Sequence, residues 1–305
     1  MSEVFHSGER EIQRRVGEET AASANGRIIT DTIIKGAINF IEKQPMVIVS
    51  SADDQGQVWI SALIGEVGFA RVPHPKALSL DKSMIRSTAK DIFYSNILQN
   101  SEIGSLFIEL STRKRFRING VATVTDANIE VAIHEAYPNC PKYIQRRVAS
   151  FSEYFQKIGA KTETGTSLAH SEIEWIQQAD TLFVGSQSAE GRLDASHRGG
   201  PPGFIEILNN DTLKIPDYRG NSMYNTLGNI VQNPNTGLLF IDFEKGSTLQ
   251  LTGKAELVFE SFYETDKDKK ADTGRYWLFK VTHWIKTKHH HKVNWEFLDY
   301  SPFNP

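Results

Sequence analysis

The sequence predicts a mainly β protein: two small β-barrels in tandem, with flanking helices. Three observations carry that expectation. Each half of the chain holds about five or six short segments of alternating polarity, closed by hairpin signals such as Asp54 to Gly56 and Glu190-Gly191, as antiparallel strands require. The same series of segments occurs twice. Helical periodicity is confined to flanking stretches, which favours a small barrel over a βαβ sheet.

The repetition is direct. "FIEKQPMVIVSSADDQGQVWISA" from Phe40 lies above "WIQQADTLFVGSQSAEGRLDASH" from Trp175 at an offset of 135, which holds for Ser51 and Ser186, Gly56 and Gly191, Ser61 and Ser196, and Leu78 and Leu213. After one deletion the offset is 133, matching Gly104 of "GSLFIEL" to Gly237 of "GLLFIDF" and Gly120 to Gly253. A shift this constant over so many positions marks a duplication. The expected halves are 1–156 and 170–305.

Taken in order, "TIIKGAINFI" has Ile34, Ala37, Ile38 and Ile41 at helical spacing behind the cap candidates Thr30 and Asp31, a helix expected to lie on the first barrel. Strands follow to about Val124. Next, "PKYIQRRVASFSEYF" places Ile144, Val148, Phe151 and Phe155 on one helical stripe, and Pro141 reads as a helix start. The linker is expected near Lys157 to Ala169, and Ser171 to Glu174 reads as a capping box opening the second half. The charged stretch Glu264 to Gly274 reads as a solvated loop.

Composition narrows the function. At 305 residues and 39% hydrophobic content the chain can bury large cores, so it is globular. Its apolar runs are too short for membrane helices, and the start "MSEVFHSGERE" lacks a signal-peptide pattern; a cytoplasmic protein without membrane contact is expected. One cysteine, Cys140, excludes an intrachain disulfide and fits a reducing compartment. A net charge of −3 gives no footprint for nucleic acid. No Gly-x-Gly-x-x-Gly follows a strand, so a dedicated dinucleotide domain is not evident. His289, His290 and His291 are consecutive and cannot all ligate one ion on a strand; they read as a solvated basic run, and no metal is expected.

Two stretches of the second half are richer in polar groups than turns require. In "PDYRGNSMYNTLGN", Pro216 and Asp217 break the strand pairing, and Asn221 is a cap for a helix beginning at Ser222. Met223, Leu227 and Ile230 then face one way and Ser222, Asn225 and Asn229 the other. Free helix N–H groups beside Arg219 suit an anion. The corresponding first-half stretch, "LDKSMIRSTAKDIFYSNILQN", keeps the apolar pattern and Asn96 but loses most of the amides. Turning the chain therefore does not require them, and ligand binding is the better reading. In "DASHRGGPPGF", Ser196, His197 and Arg198 add donors to a Gly-Pro loop through which a flat ligand can approach the backbone.

These stretches, with "NPNTGLLFIDF", "LQLTGKAEL", "YPNCPKYIQRR" and "FHSGEREIQ", resemble the flavin-binding split-barrel family related to pyridoxamine 5'-phosphate oxidase, in a subgroup with two barrels in tandem. The resemblance implies an intrachain pseudo-dimer with one FMN site, held by the second barrel and walled by the first. Arg219, Asn221, Ser222, Asn225 and Thr226 suit the phosphate and ribityl chain. The segment Asp194 to Arg198 suits the ring, with Pro216 and Asp217 beside it, and Gln250 with Thr252 is expected to line the same slot. Cys140, Lys142 and His197 are the catalytic candidates, Cys140 and Lys142 reaching the site from the first half. That oxidase's basic phosphate-binding strand and carboxy-terminal ending are missing, which weakens any link to vitamin B6. An FMN-dependent oxidoreductase using a small-molecule substrate or NAD(P)H is the leading expectation, as a monomeric pseudo-dimer or a homodimer. The rivals are a non-catalytic flavin-binding module and a haem-binding protein on the same fold.

Overall fold

The computed structural model describes residues 4–151, 159–260 and 273–305. The first sheet is built from β1 (Met46–Ala52), β2 (Val58–Ile64), β3 (Ala70–His74), β4 (Ala77–Asp81), β5 (Glu102–Glu109), β6 (Lys114–Val124) and β7 (Asn128–Pro138), in the order β2-β1-β5-β6-β7-β4-β3. Two further strands, β8 (Arg146–Phe151) and β9 (Lys161–Gly165), precede the second sheet. That sheet contains β10 (Thr181–Gln187), β11 (Leu193–Gly199), β12 (Glu206–Ile207), β13 (Thr212–Pro216), β14 (Asn235–Asp242), β15 (Ser247–Phe259) and β16 (Arg275–Lys288), ordered β11-β10-β14-β15-β16-β13-β12, with β9 pairing β16. Strand for strand this is the order of the first sheet. The sequence repeat is thus a repeat of topology.

The two sheets pack on each other, which explains why β1 and β10 are buried along their whole length. Successive side chains of a strand point to opposite faces. Val47 and Val49 enter the core of the first sheet, while Met46 and Ile48 enter a second core shared with Phe183, Leu239 and Ile241 of the other half. Glycine permits the close approach: a Cβ on Gly104 would lie 2.6 Å from the Asp194 Cα, and one on the matched Gly237 would lie 2.8 Å from the Val58 carbonyl oxygen.

Helices decorate the sheets. They are α1 (Ser7–Val16), α2 (Glu19–Gly26), α3 (Lys35–Glu42), α4 (Ile92–Asn96), α5 (His170–Gln178) and α6 (Asn225–Gln232). As expected, α3 buries Ala37 and Ile41 in the first core. Its cap is Ile34 without a side-chain bond, because Thr30 is held by backbone pairing to Ala136. Helix α5 starts at His170, with Glu172 accepting from the Ala169 N–H at 3.1 Å, two residues earlier than the expected box. Helix α1 precedes the first sheet in sequence yet packs on α6 of the second half, and Ile12 sits in the second sheet's own core, with Leu182 and Leu227. Among the described residues no helix is long and apolar enough to cross a membrane.

Three expectations are corrected. The helical stripe Ile144, Val148, Phe151 begins instead as strand β8, paired antiparallel with β17 (Val293–Asp299); the cross-strand partner far along the chain overrides local periodicity. Phe155 lies outside the described residues. The expected linker holds β9, with Lys157 and most of Glu264 to Gly274 also outside the described residues. Finally, His290 and His291 are buried, 1% and 3% exposed, while His289 turns the chain at a φ of 56°. The run is not solvated, because the end of β16 is covered by the first half: Thr88 N donates to the His290 carbonyl.

Candidate functional site

Strand alternation sorts β11 into two faces. Asp194, Ser196 and Arg198 share one; Ala195 and His197 share the other, which faces the core between the sheets. The His197 ring packs edge-on against its cross-strand partner Phe183, with centroids 5.5 Å apart, and neither ring nitrogen has a hydrogen-bond partner. Burial, and next to it the charge of Arg115, holds its pKa well below the ordinary histidine value, so the ring is neutral. Contrary to expectation, His197 contributes backbone rather than imidazole: its carbonyl faces Arg115.

On the opposite face a cleft forms from both halves. The second half supplies Ser196, Arg198, Pro216, Asp217, Asn221, Ser222, Asn225 and Thr226, and the first supplies Arg115, Arg117, Asn139, Cys140, Lys142 and Tyr143. Most of the residues expected from sequence are therefore neighbours in space. Ser196 Oγ and Thr226 Oγ1 are 2.8 Å apart. Asp217, 3% exposed, accepts from Arg198 Nη1 at 2.9 Å and from Arg275 Nε at 3.0 Å, and so fixes the Arg198 guanidinium at the cleft wall.

Two expected residues lie elsewhere. The Arg219 side chain is exposed and outside the cleft, although its carbonyl accepts from Tyr143 Oη at 3.0 Å. Gln250 is buried between the sheets, where Nε2 donates to the Ile60 carbonyl at 3.0 Å and Ser61 Oγ at 2.8 Å; its strand face is the one that meets the first half. Helix α6 begins at Asn225, not Ser222. Ser222 and Tyr224 both have left-handed backbone, with φ of 62° and 63°, and Asn221 Oδ1 caps only a turn at the Met223 N–H, 3.1 Å away. Pro141 starts no helix either; it enters a turn in which Tyr143 has φ of 65°. No helix N-terminus therefore serves Cys140 or Lys142.

The loop before α6 is held by the N-terminal helices. Gln13 Nε2 donates to the Met223 carbonyl at 3.1 Å, Asn25 Nδ2 to the Asn221 carbonyl at 2.7 Å, and Tyr224 Oη to Glu18 at 2.7 Å. Asn225 bridges the two halves, donating to Glu9 and accepting from Arg117 Nη1 at 3.2 Å. Asn229 is different: its bond to Ser186 Oγ, 3.0 Å, is repeated at 3.0 Å by Asn96 and Ser51 in the first half. Asn229 is thus structural, whereas Asn225 has Ile92 at the matched position.

Sequence reasoning missed the two arginines. Arg117 is 4% exposed; its Nε lies 2.9 Å from Asp194 Oδ1 and 3.0 Å from the Ala195 carbonyl, and Nη1 donates to Tyr137 Oη at 2.8 Å. Burial opposes its charge, but Asp194, Tyr137 and Glu135 together outweigh it and raise its pKa. Arg115 has no ion-pair partner among the described residues; it donates to the Cys140 carbonyl at 2.6 Å. Burial, with Arg117 adding repulsion, lowers its pKa to about 9. The repeat held the signal, since "KRFRING" aligns with "STLQLTG", placing Thr248 and Gln250 opposite Arg115 and Arg117.

The matched place in the first half is closed. Ser61, the counterpart of Ser196, donates to buried Asp91 at 2.6 Å, and the other Asp91 oxygen lies 3.3 Å from His290 Nε2. A carboxylate stands there, with no arginine opposite.

Residues 171–287 match the pyridoxamine 5'-phosphate oxidase family model. The matched segment spans the second sheet and its cleft residues. No curated protein matches the chain. Similar solved structures include a variant of HupZ from Group A Streptococcus (13% identity, TM-score 0.32, 39% of this chain and 98% of that one). An FMN-binding protein from Syntrophomonas wolfei is 12% identical, with a TM-score of 0.27 over 42% of this chain and 95% of that one. A protein of the pyridoxinephosphate oxidase family from Clostridium acetobutylicum is 13% identical, with a TM-score of 0.29 over 42% and 92%.

Proposed function

We propose that the cleft binds FMN, one molecule per chain, and that the protein is a flavin-dependent oxidoreductase acting on a small-molecule substrate, with NAD(P)H as the candidate donor. The observation that carries this reading is Arg115, a cation partly withdrawn from water beside Arg117 and Arg198 with no carboxylate of its own. Such a charge is costly unless an anion meets it. A phosphate does so, and guanidinium groups match it bidentately. The family match over 171–287 supports a flavin as its bearer.

In this reading the two sheets are tandem split barrels forming an intrachain pseudo-dimer, with the halves at 1–156 and 170–305. Arg115, Arg198 and Lys142 neutralise the phosphate, and Asn221 and Asn225 face the polar chain. The tilted pair Tyr143 and Tyr218, centroids 5.2 Å apart, offers aromatic surface to a flat ring. The flavin, when bound, supplies the electron transfer; the chain supplies placement and charge. The closed first-half counterpart accounts for a single site.

The test is the absorption spectrum of the purified protein, with mass spectrometry of whatever heating releases. About one FMN per chain is expected, lost in R115A and R198A. A colourless protein that also refuses added FMN overturns the reading. Steady-state oxidation of NADH or NADPH then separates an oxidoreductase from a flavin carrier.

A further inference from the structure

Behind the cleft lies a second cavity of about 250 Å³, and the ion pair of Arg117 and Asp194 is the wall between them: Arg117 lines the cleft, Asp194 the cavity, and Asn225 both. The character of the two spaces is opposite. Three carboxyl groups, Glu9, Glu135 and Asp194, face into the cavity. Exposed Glu190 and Arg192 stand at its rim and offset one another. His6 brings no charge, because its Nδ1 accepts from the Gly8 N–H at 3.2 Å, leaving Nε2–H to donate to Asn229 Oδ1 at 2.9 Å, and burial lowers its pKa.

Two buried acceptors on side chains that line this cavity lack donors. Asp194 Oδ2 and Asn119 Oδ1 belong to side chains 4% and 7% exposed, and neither oxygen has a hydrogen-bond partner. Their sister atoms are engaged, Asp194 Oδ1 with Arg117 and Asn119 Nδ2 with Glu135 at 3.2 Å, so rotation of either side chain would trade one loss for another. A buried acceptor without a donor is costly, and the surplus of carboxyl groups adds to that cost. Burial raises the pKa of Glu9 to about 8 and raises that of Glu135 as well.

We propose that this cavity is a binding site for a small organic cation carrying N–H donors, an alkylammonium or guanidinium group, held by Glu135 together with Asp194 and Asn119. A metal ion is the poorer match, since among the described residues no three His, Cys, Asp or Glu side chains converge as a ligand set. The site does not depend on the flavin reading: its charge, its orphaned oxygens and its lining are separate from the cleft's cations. Because the cation competes with Arg117 for Asp194, its binding is coupled to the anion held on the far side of the wall.

The experiment is calorimetric titration of the full chain with 1,4-diaminobutane, and with 1,4-butanediol as the uncharged isostere, in the presence and absence of FMN. Saturable diamine binding is expected with no butanediol binding, and E135Q, which keeps an acceptor for Asn119 but removes the charge, weakens it about tenfold or more. E190K, an exposed change at the rim that leaves folding intact, weakens it several-fold. No saturable diamine binding by the folded protein, equal binding of the diol, or unchanged affinity in both variants overturns the proposal. FMN titration in the same samples reports separately on the cleft, so failure of one reading is distinguishable from failure of the other.

Discussion

Arg117→Gln removes one charge from a pair whose atoms are 2.9 Å apart and whose side chains are each 5% exposed. At an effective dielectric of about 20, the attraction at that distance is roughly 6 kcal/mol. Breaking a buried pair by removing one partner costs about 3–5 kcal/mol, because the other charge stays buried. Glutamine itself fits the backbone: Gln250 stands at the matched position and donates to the Ile60 carbonyl as Arg117 does to the Ala195 carbonyl. The loss is therefore electrostatic rather than steric. Urea denaturation of R117Q should show a deficit of about 3–5 kcal/mol, and thermal melting a fall of roughly 6–20 °C. Adding Asp194→Asn makes both sides neutral and should restore most of the stability. A deficit below about 1 kcal/mol, or a double variant no more stable than R117Q, would refute the reasoning.

Removing Arg115 should separate binding from folding: R115M is expected to lose FMN or phosphate affinity while melting no lower than the parent, since it deletes an unpaired cation. Arg219→Ala should change FMN affinity little in the same titration, its side chain lying outside the cleft. Glu9 is protonated in the folded state up to about pH 8 but ionises near 4.5 when unfolded. Its contribution is thus full below the unfolded value and lost as pH rises through 8; the lowered histidines, which take up protons in the unfolded chain around 6.5 and give the opposite slope, have faded by about pH 7.5, and from there to about 8 stability should fall by up to about 1.4 kcal/mol per pH unit. E9Q, followed by urea denaturation at each pH, should flatten that slope; a parallel slope would sink the assignment. Gly228→Ala puts a Cβ 2.6 Å from the Glu9 nitrogen and should destabilise by about 1–3 kcal/mol, with faster hydrogen exchange over α1 and the 221–225 loop.

Several features could be read along the chain because local geometry writes them there. The hairpins follow from turn residues between short strand-forming segments, and the repeat and the surplus of amides in "NSMYNTLGN" follow from comparing one copy with the other. Periodicity cannot say what a segment meets. Whether "YIQRRVASF" becomes helix or strand was decided by β17, some 150 residues away in the chain (Ala149 pairs Trp295). The His197 ring left the site because strand register turned it toward Phe183. Arg115 and Arg117 entered it because packing of one sheet on the other brings β6 to β11. A site built between two packed sheets depends on where faces meet, and that is a property of the assembled sheets rather than of any stretch of residues.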